Sequence, residues 1–440
     1  MIAAVRQAIL SILGALLLPF ALPSLIRAVI RALRRHKDDS AILFSTSGFG
    51  YTVVAPDLMR RTFKGRAGVV FFGPVWRYNP IVEELYSDTT VTICTVPAWV
   101  AIGQYRVSLP SRILFLKIAI PLLSAYWRAQ GKICVVFSDS PDFHRLLPEA
   151  ELSDLGHARL GHALPHLRYH WVPRYFRLGL AADKPRARLS EATRARCSTK
   201  IDCVTEPGRG DVCLYARYRE STSSCSVTNR NGAAAADYVP AIEWLAARGY
   251  RVLITGDVDF SEALNGTARA RSILPGDVDV PRGEFLLYAA TECDLWIGED
   301  GGGTNVGWVA RRKMLGVNWF PFYAVFPGIT LCYKTVHSPG AAKPLGPDFM
   351  FGPGAFEFGF PGLELRGNSP ELLRAAVIDF VERHERGDPP GLPVSALGTV
   401  SPDVWFNFVP AYISPPWLSA VLTVPGLSGN QHRRPVSATD

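Results

Sequence analysis

The sequence predicts an α/β protein built as two parallel-sheet units, preceded by an apolar and basic N-terminal stretch. Three observations carry this expectation. Strand-length apolar runs alternate with helical patterns over residues 41–140, and again over 211–322. Between them, over 141–210, the pattern weakens and the chain turns polar and basic. The 440 residues are 48% hydrophobic and 20% charged, enough apolar material for two cores.

In the first unit, AILFSTS (41–47) reads as a strand, Gly48-Phe49-Gly50-Tyr51-Thr52 as a glycine turn, and VVAPDLMRRTF as a helix. VVFF (69–72) and TVTIC (90–94) read as strands with a helix between them at 79–87. Residues 111–130 read as an apolar helix interrupted by Pro121, a core or connecting helix by preference with contact with the bilayer left open, and KICVVFS (132–138) as a buried strand. A polar helix is expected at 185–196, and TEPGRG (205–210) reads as a linker.

The second unit runs through strands at 211–217, 250–256, 294–298 and 313–319, with helices at 233–248 and 284–293. Gly249 reads as a helix stop. EDGGGTNVGWVARR (299–312) is a glycine loop entering a helix. A Pro- and Gly-rich stretch then leads to one helix, PELLRAAVIDFVERHERG, and a tail expected to be disordered beyond about 427. The expected domains are 1–37, 38–205, 206–390 and a partly disordered extension, 391–440.

Residues 8–26 carry no charge and approach the roughly 20 residues needed to cross a hydrocarbon core. Arg27, Arg31, Arg34, Arg35 and Lys37 follow them, on the wrong side for a cleaved signal peptide. The positive-inside rule places the rest of the chain on the cytoplasmic side of the bacterial inner membrane. Pro19 and Pro23 leave a kinked or re-entrant insertion open, and residues 24–35 have the two faces of a basic interfacial helix.

The net charge is +8 and the pI about 9.1, which suits anionic lipid or phosphorylated small molecules. Nucleic acid is not an expected partner: there is no basic tail, zinc-finger spacing or RNP-like motif. The eight Cys form no CxxC, and a reduced cytoplasmic chain fits best, with a Cys197–Cys203 disulfide left open. No metal is expected, because Pro165 breaks the helix that could gather the His at 144–170.

In open parallel sheets ligands sit at the carboxyl ends of the strands. The turn at Gly48, Gly50, Tyr51 and Thr52 is one such end, but it lacks the third glycine of a dinucleotide fingerprint. Arg217 and Arg219, joined by Arg230, offer forked cations to a diphosphate. Gly256 and Asp257 end the next strand, with Asp257 free to cap a helix or meet a hydroxyl. In the last, Gly301, Gly302 and Gly303 leave backbone amides open to phosphate at a helix N-terminus, and Thr304 adds a hydroxyl. Asn305 follows, and Glu299 is expected to face the site and hold sugar hydroxyls.

The order of these motifs resembles a family of bacterial glycosyltransferases of GT-B architecture: Arg217 ending a strand, Asn229-Arg230-Asn231, the helix Asp237-Tyr238-Val239-Pro240-Ala241-Ile242-Glu243, then Cys293-Asp294-Leu295-Trp296-Ile297-Gly298 and the glycine loop. The resemblance is good over 211–322 and looser over 41–140. It implies two Rossmann-like domains facing a cleft, with the nucleotide diphosphate in the C-terminal half and the acceptor in the N-terminal half. It implies a nucleotide-sugar co-substrate without cofactor or metal, and a glycan or lipid-linked acceptor. Arg217, Arg219 and Arg230 would steady the leaving diphosphate. Asp139, after the strand 132–138, is the candidate base beside Asp142 and His144. Three alternatives stay open: a pyruvyl-type transferase, a sugar-nucleotide epimerase, and a non-catalytic membrane-tethered binding protein.

Overall fold

The computed structural model describes residues 22–23, 26–45, 49–63, 65–74, 80–96, 118–137, 186–217, 234–319, 328–347, 364–393 and 411–422. It shows an α/β chain with two separate parallel sheets and a small antiparallel pair.

The first sheet has the order β3-β2-β1-β4. Its strands are β1 (Ala41–Ser45), β2 (Ala67–Pro74), β3 (Thr89–Val96) and β4 (Ile133–Phe137), all parallel. Alternation along the strands sends side chains to opposite faces. Leu43, Val69, Phe71 and Val91 join the larger core, where helix α2 (Phe49–Thr62) adds Val53, Val54, Ala55 and Met59. Ile42, Phe44, Val70, Phe72 and Cys94 form a second core under two other helices, α1 (residues 26–35) and α3 (Ile120–Ala129). Trp127 of α3 is fully buried there, its ring 5.7 Å from that of Phe44 and 5.9 Å from that of His36.

Two local expectations change. Phe49 to Thr52 belong to the first turn of α2, not to an open turn before it. Residues 80–84 form a single 3-10 turn where a longer helix was expected. Pro121 lies in the first turn of α3, where proline has no amide to lose, and the expected helix before residue 118 lies outside the described residues.

The second sheet has eight strands in the order β13-β14-β10-β9-β8-β5-β6-β7. They are β5 (Asp211–Ala216), β6 (Arg251–Gly256), β7 (Ser272–Ile273), β8 (Leu295–Gly298), β9 (Lys313–Trp319), β10 (Ile329–Tyr333), β13 (Leu392–Pro393) and β14 (Tyr412–Ile413). Only the short β13 runs antiparallel. The intervening helices are α4 (Glu191–Asp202), α5 (Ala235–Ala247), α6 (Gly266–Arg271), α7 (Arg282–Glu292), α8 (Gly302–Val309), α9 (Pro370–Arg386) and α10 (Pro415–Leu422). Helix α4 starts later than the polar pattern suggests, because the Ser190 hydroxyl accepts from the Thr193 amide and caps it there.

The Pro- and Gly-rich stretch supplies β10 and the antiparallel pair β11 (Thr335–His337) and β12 (Glu364–Arg366). Residues 411–422 belong with the second sheet. β14 pairs with β10, and Trp417 of α10 is fully buried with its ring 5.6 Å from that of Tyr333.

Contacts among the described residues join the units. Helix α2 packs against α8. The extended chain before α4 lies between the units: the Arg188 amide donates to the Leu85 carbonyl (3.1 Å) and the Ala187 amide to that of Val309 (3.2 Å).

The uncharged run 8–26 lies almost wholly outside the described residues. Among the described residues no helix is long and apolar enough to cross a membrane. Helix α1 is docked on the first sheet through Ala28, Val29, Ala32 and Leu33, and its Arg31 and Arg35 both pair with Glu83.

Candidate functional site

The carboxyl ends of β5, β6 and β8 are neighbours in the second sheet, which brings Arg217, Asp257 and the glycine loop together. Gly298 must be glycine here, since a Cβ would stand 2.4 Å from the Tyr215 carbonyl oxygen of the adjoining strand. Gly256 has φ +104°, and a Cβ on it would lie 1.9 Å from the Ala216 carbonyl oxygen. That tight exit lets the Asp257 amide donate to the same oxygen at 2.9 Å, leaving the Asp257 side chain exposed at the mouth.

Arg217 is the hub of this mouth. Its Nη1 donates to the Asp300 carbonyl at 3.1 Å, and its Nε lies 3.9 Å from Asp257 Oδ2. The Nε atom is buried and has no hydrogen-bond partner among the described residues. The loop rests directly on Arg217 and on Tyr215. A Cβ at Gly301 would meet Arg217 Nη1 at 2.6 Å, and one at Gly303 would meet the Tyr215 ring at 2.6 Å. These two glycines therefore let the loop close over a guanidinium and a phenol. Burial pushes the Tyr215 hydroxyl up from its ordinary pKa, so it stays neutral beside the Gly303 amide.

Two expected contacts are corrected. Glu299 does not face the mouth: it is 4% exposed and turned into the protein. One carboxylate oxygen accepts from the Tyr238 hydroxyl (2.7 Å) and Asn318 Nδ2 (3.1 Å), and the other from the Arg217 amide (3.2 Å). A carboxylate at this depth needs such donors, and in exchange it ties β5, α5 and β9 to the loop. Burial, with Glu299 beside it, drives the Tyr238 hydroxyl well above its usual pKa. Thr304 is also turned inward. It is fully buried and donates to the Glu299 carbonyl at 2.8 Å, capping the loop from within. Asn305 is half-buried in α8.

In the first unit, Gly50, Tyr51 and Thr52 are helical, and Thr52 is fully buried within α2, so its hydroxyl does not line an open turn. Gly48, Asp139, Asp142, Arg219, Arg230 and the His at 144–170 lie outside the described residues. No group of three or more potential metal ligands occurs among the described residues.

Sequence reasoning missed Arg282. It sits in the first turn of α7, exposed, and donates from Nη2 to the Gly256 carbonyl, adding a second cation to the mouth. The signal was present: an arginine directly after Pro281, where the helix dipole favours an acid. The reciprocal pair beneath the loop was also missed. The Asn318 amide donates to Asn368 Oδ1 (2.8 Å) and the Asn368 amide to Asn318 Oδ1 (2.6 Å). Asn318 takes a left-handed φ of +47° at that junction, a conformation asparagine tolerates better than most residues. Partners 50 residues apart leave no local pattern.

The mouth so built has two arginines, a glycine loop and a helix N-terminus. It suits an anion with several oxygens.

No protein-family model matches the sequence, and no curated protein matches it. Solved structures similar to it include three sugar transferases. The glycosyl transferase family 9 protein from Veillonella parvula has a TM-score of 0.40 at 10% identity, over 67% of this chain and 86% of that one. E. coli ADP-heptose lps heptosyltransferase II has a TM-score of 0.38 at 12% identity, over 66% and 89%. E. coli heptosyltransferase WaaC with ADP-2-deoxy-2-fluoro heptose has a TM-score of 0.36 at 13% identity, over 68% and 94%.

Proposed function

We propose that the chain is a glycosyltransferase that binds a nucleotide-sugar at the mouth of the second sheet and moves the sugar to a glycan or lipid-linked acceptor at the cytoplasmic membrane face. The observation that carries this reading is Arg217 lying beneath the glycine loop, with a buried Nε that has no hydrogen-bond partner among the described residues and Arg282 nearby. When the sugar departs, negative charge builds on the leaving diphosphate. Cations and oriented amides set there in advance stabilise that charge without reorganising. On this reading the two arginines and the loop amides take the role a metal ion would otherwise fill. Arg219 and Arg230 are proposed to add to them. Asp139 is proposed to take the acceptor's proton.

The test is a thermal-shift panel of ADP-, UDP-, GDP-, CMP- and TDP-sugars without added metal. One nucleotide should raise the melting temperature, and Arg217→Lys should weaken that shift by about tenfold in ligand concentration. If no member of the panel stabilises the protein, the reading fails. Product analysis with the stabilising sugar, against turnover of phosphoenolpyruvate, separates sugar transfer from pyruvyl transfer.

A further inference from the structure

Helices α1 and α3 cover the same face of the first sheet, and each buries one side in the second core. Their outer sides are apolar too. On α1, Ile26 and Ile30 stand four residues apart, with Ile26 54% exposed, and Leu22, before the helix, is exposed too. On α3, Leu122 and Tyr126 repeat the spacing, 66% and 51% exposed, and Ile118, two residues before the helix, is exposed too. This spacing sets each pair along one helical stripe. Both stripes point away from the same sheet face, because the two helices form one layer upon it.

The charged residues on the two helices are of one sign, with the exposed Asp38 three residues beyond the end of α1. Residues 26–37 and 118–134 contain no Asp or Glu. Arg27, Arg34, Lys37 and Arg128 are exposed among them. Glu83, the acid that approaches α1, is occupied by Arg31 and Arg35. A second copy of this chain would set cations against cations. An anionic bilayer satisfies both features at once, taking the apolar stripes into the acyl boundary and the cations at the headgroups. Tyr126 is amphipathic and suits that depth. The chain preceding α1 points to the same occupant, since residues 8–26 are uncharged and lead directly into this layer.

We propose that the α1–α3 layer is a membrane-docking face that lies flat on an anionic bilayer, with Ile26, Ile30, Leu122 and Tyr126 inserted and Arg27, Arg34, Lys37 and Arg128 on the headgroups. The face deepens the membrane-side reading above and rests on it for its purpose, while the donor mouth belongs to the other sheet. Docking by this layer orients the whole chain, because α2, on the opposite face of the first sheet, is the helix that meets α8.

The full chain is to be sedimented with unilamellar vesicles of phosphatidylglycerol and phosphatidylethanolamine, and with phosphatidylcholine vesicles. Wild type should partition onto the anionic vesicles. The double variant Leu122→Glu/Tyr126→Glu should lose roughly tenfold or more of that partitioning, and Arg27→Glu/Arg34→Glu a comparable amount. Leu122→Gln/Tyr126→Gln repeats the measurement should the acidic pair fail to fold. Undiminished binding by the α3 variants overturns the proposal, because anchoring would then come from elsewhere in the chain. A change of oligomeric state in those variants, with vesicle binding intact, overturns it equally and assigns the face to a second copy. Nucleotide-sugar shifts measured on the same samples keep the two readings apart: the α3 variants should retain the shift of wild type, whatever its size.

Discussion

The two sheets are made by the same alternation of strand and helix, yet they treat their helices differently. In the second unit the helices are closed in. Tyr238, Ile242 and Leu245 of α5, and Phe285, Leu287 and Tyr288 of α7, all go to the core, and few large apolar side chains remain outside. In the first unit one helix layer is apolar on both sides. Of the large hydrophobic side chains that are exposed among the described residues, seven are Leu22, Ile26, Ile30, Ile118, Leu122, Tyr126 and Ile133, and three, Val204, Leu392 and Leu422, lie beyond the first unit. Scattered apolar side chains need no explanation, whereas stripes on neighbouring helices do. On the two proposals made above, the contrast divides the labour: one unit shaped around an anion, the other around a surface.

The sharpest break of this comparison lies within α3. Trp127 and Leu122 are five residues apart on one helix, one fully buried and the other mostly exposed. Trp127→Ala should cost about 4 kcal/mol, through lost burial and the cavity left against Phe44 and His36. Leu122→Ala should change stability by no more than about 0.5 kcal/mol. Urea unfolding of both variants checks this. A large loss in Leu122→Ala would mean that the stripe is already covered by protein, and the contrast between the units would collapse.

The second unit is tested at its mouth. Gly256→Ala should cost about 3 kcal/mol, because φ +104° strains any L side chain and the new Cβ meets the Ala216 carbonyl. Helix-stop glycines form the control. Gly387 also has a left-handed φ, +71°, but a Cβ there meets nothing within 4 Å, so Gly387→Ala should cost about 1 kcal/mol. Equal costs at the two positions would show that the mouth is looser than its contacts imply.

Much of this was legible in the sequence. The strands 41–45 and 251–256 stand where apolar runs end in glycine or small polar residues, 211–216 stands where one ends at Arg217, and α9 stands between Ser369 and Gly387, a serine cap and a left-handed stop. What sequence could not supply was direction. Glu299 and Thr304 lie in the expected loop, but whether a side chain enters a mouth or the core depends on what waits beneath it. Here Tyr238, Asn318 and the loop's own carbonyl wait beneath, contributed by residues as much as 61 apart from Glu299. For the same reason β10, β14 and α10 were hidden. Their apolar runs are short and lie among prolines and glycines, and only pairing with β9 and packing on α9 define them.

The smallest expected effect concerns His36, at the end of α1 and the base of the docking layer. It is fully buried, with Nδ1 2.7 Å from Asp39 Oδ2 and Nε2 3.0 Å from Thr92 Oγ1. Gly68 makes the room, since a Cβ there would stand 2.1 Å from His36 Nδ1. Burial lowers the pKa of His36 below its ordinary value, against the opposing pull of Asp39, with Arg35 and Lys132 adding to the lowering. The folded state therefore holds the neutral imidazole and takes up its proton less readily than the unfolded chain. Its contribution is present above the unfolded pKa of about 6.5 and is lost as pH falls through the lower folded value. Unfolding midpoints measured from about pH 7 to about pH 5 should fall on the acid side, and His36→Gln, which can still donate to Asp39 and accept from Thr92, should flatten that limb. An unchanged acid limb in His36→Gln would move the pH dependence to other groups. A steeper limb in the first unit than in the second, read by hydrogen exchange in β2 and β8, would place the acid-sensitive joint beneath the proposed membrane face, where an anionic surface also lowers the local pH.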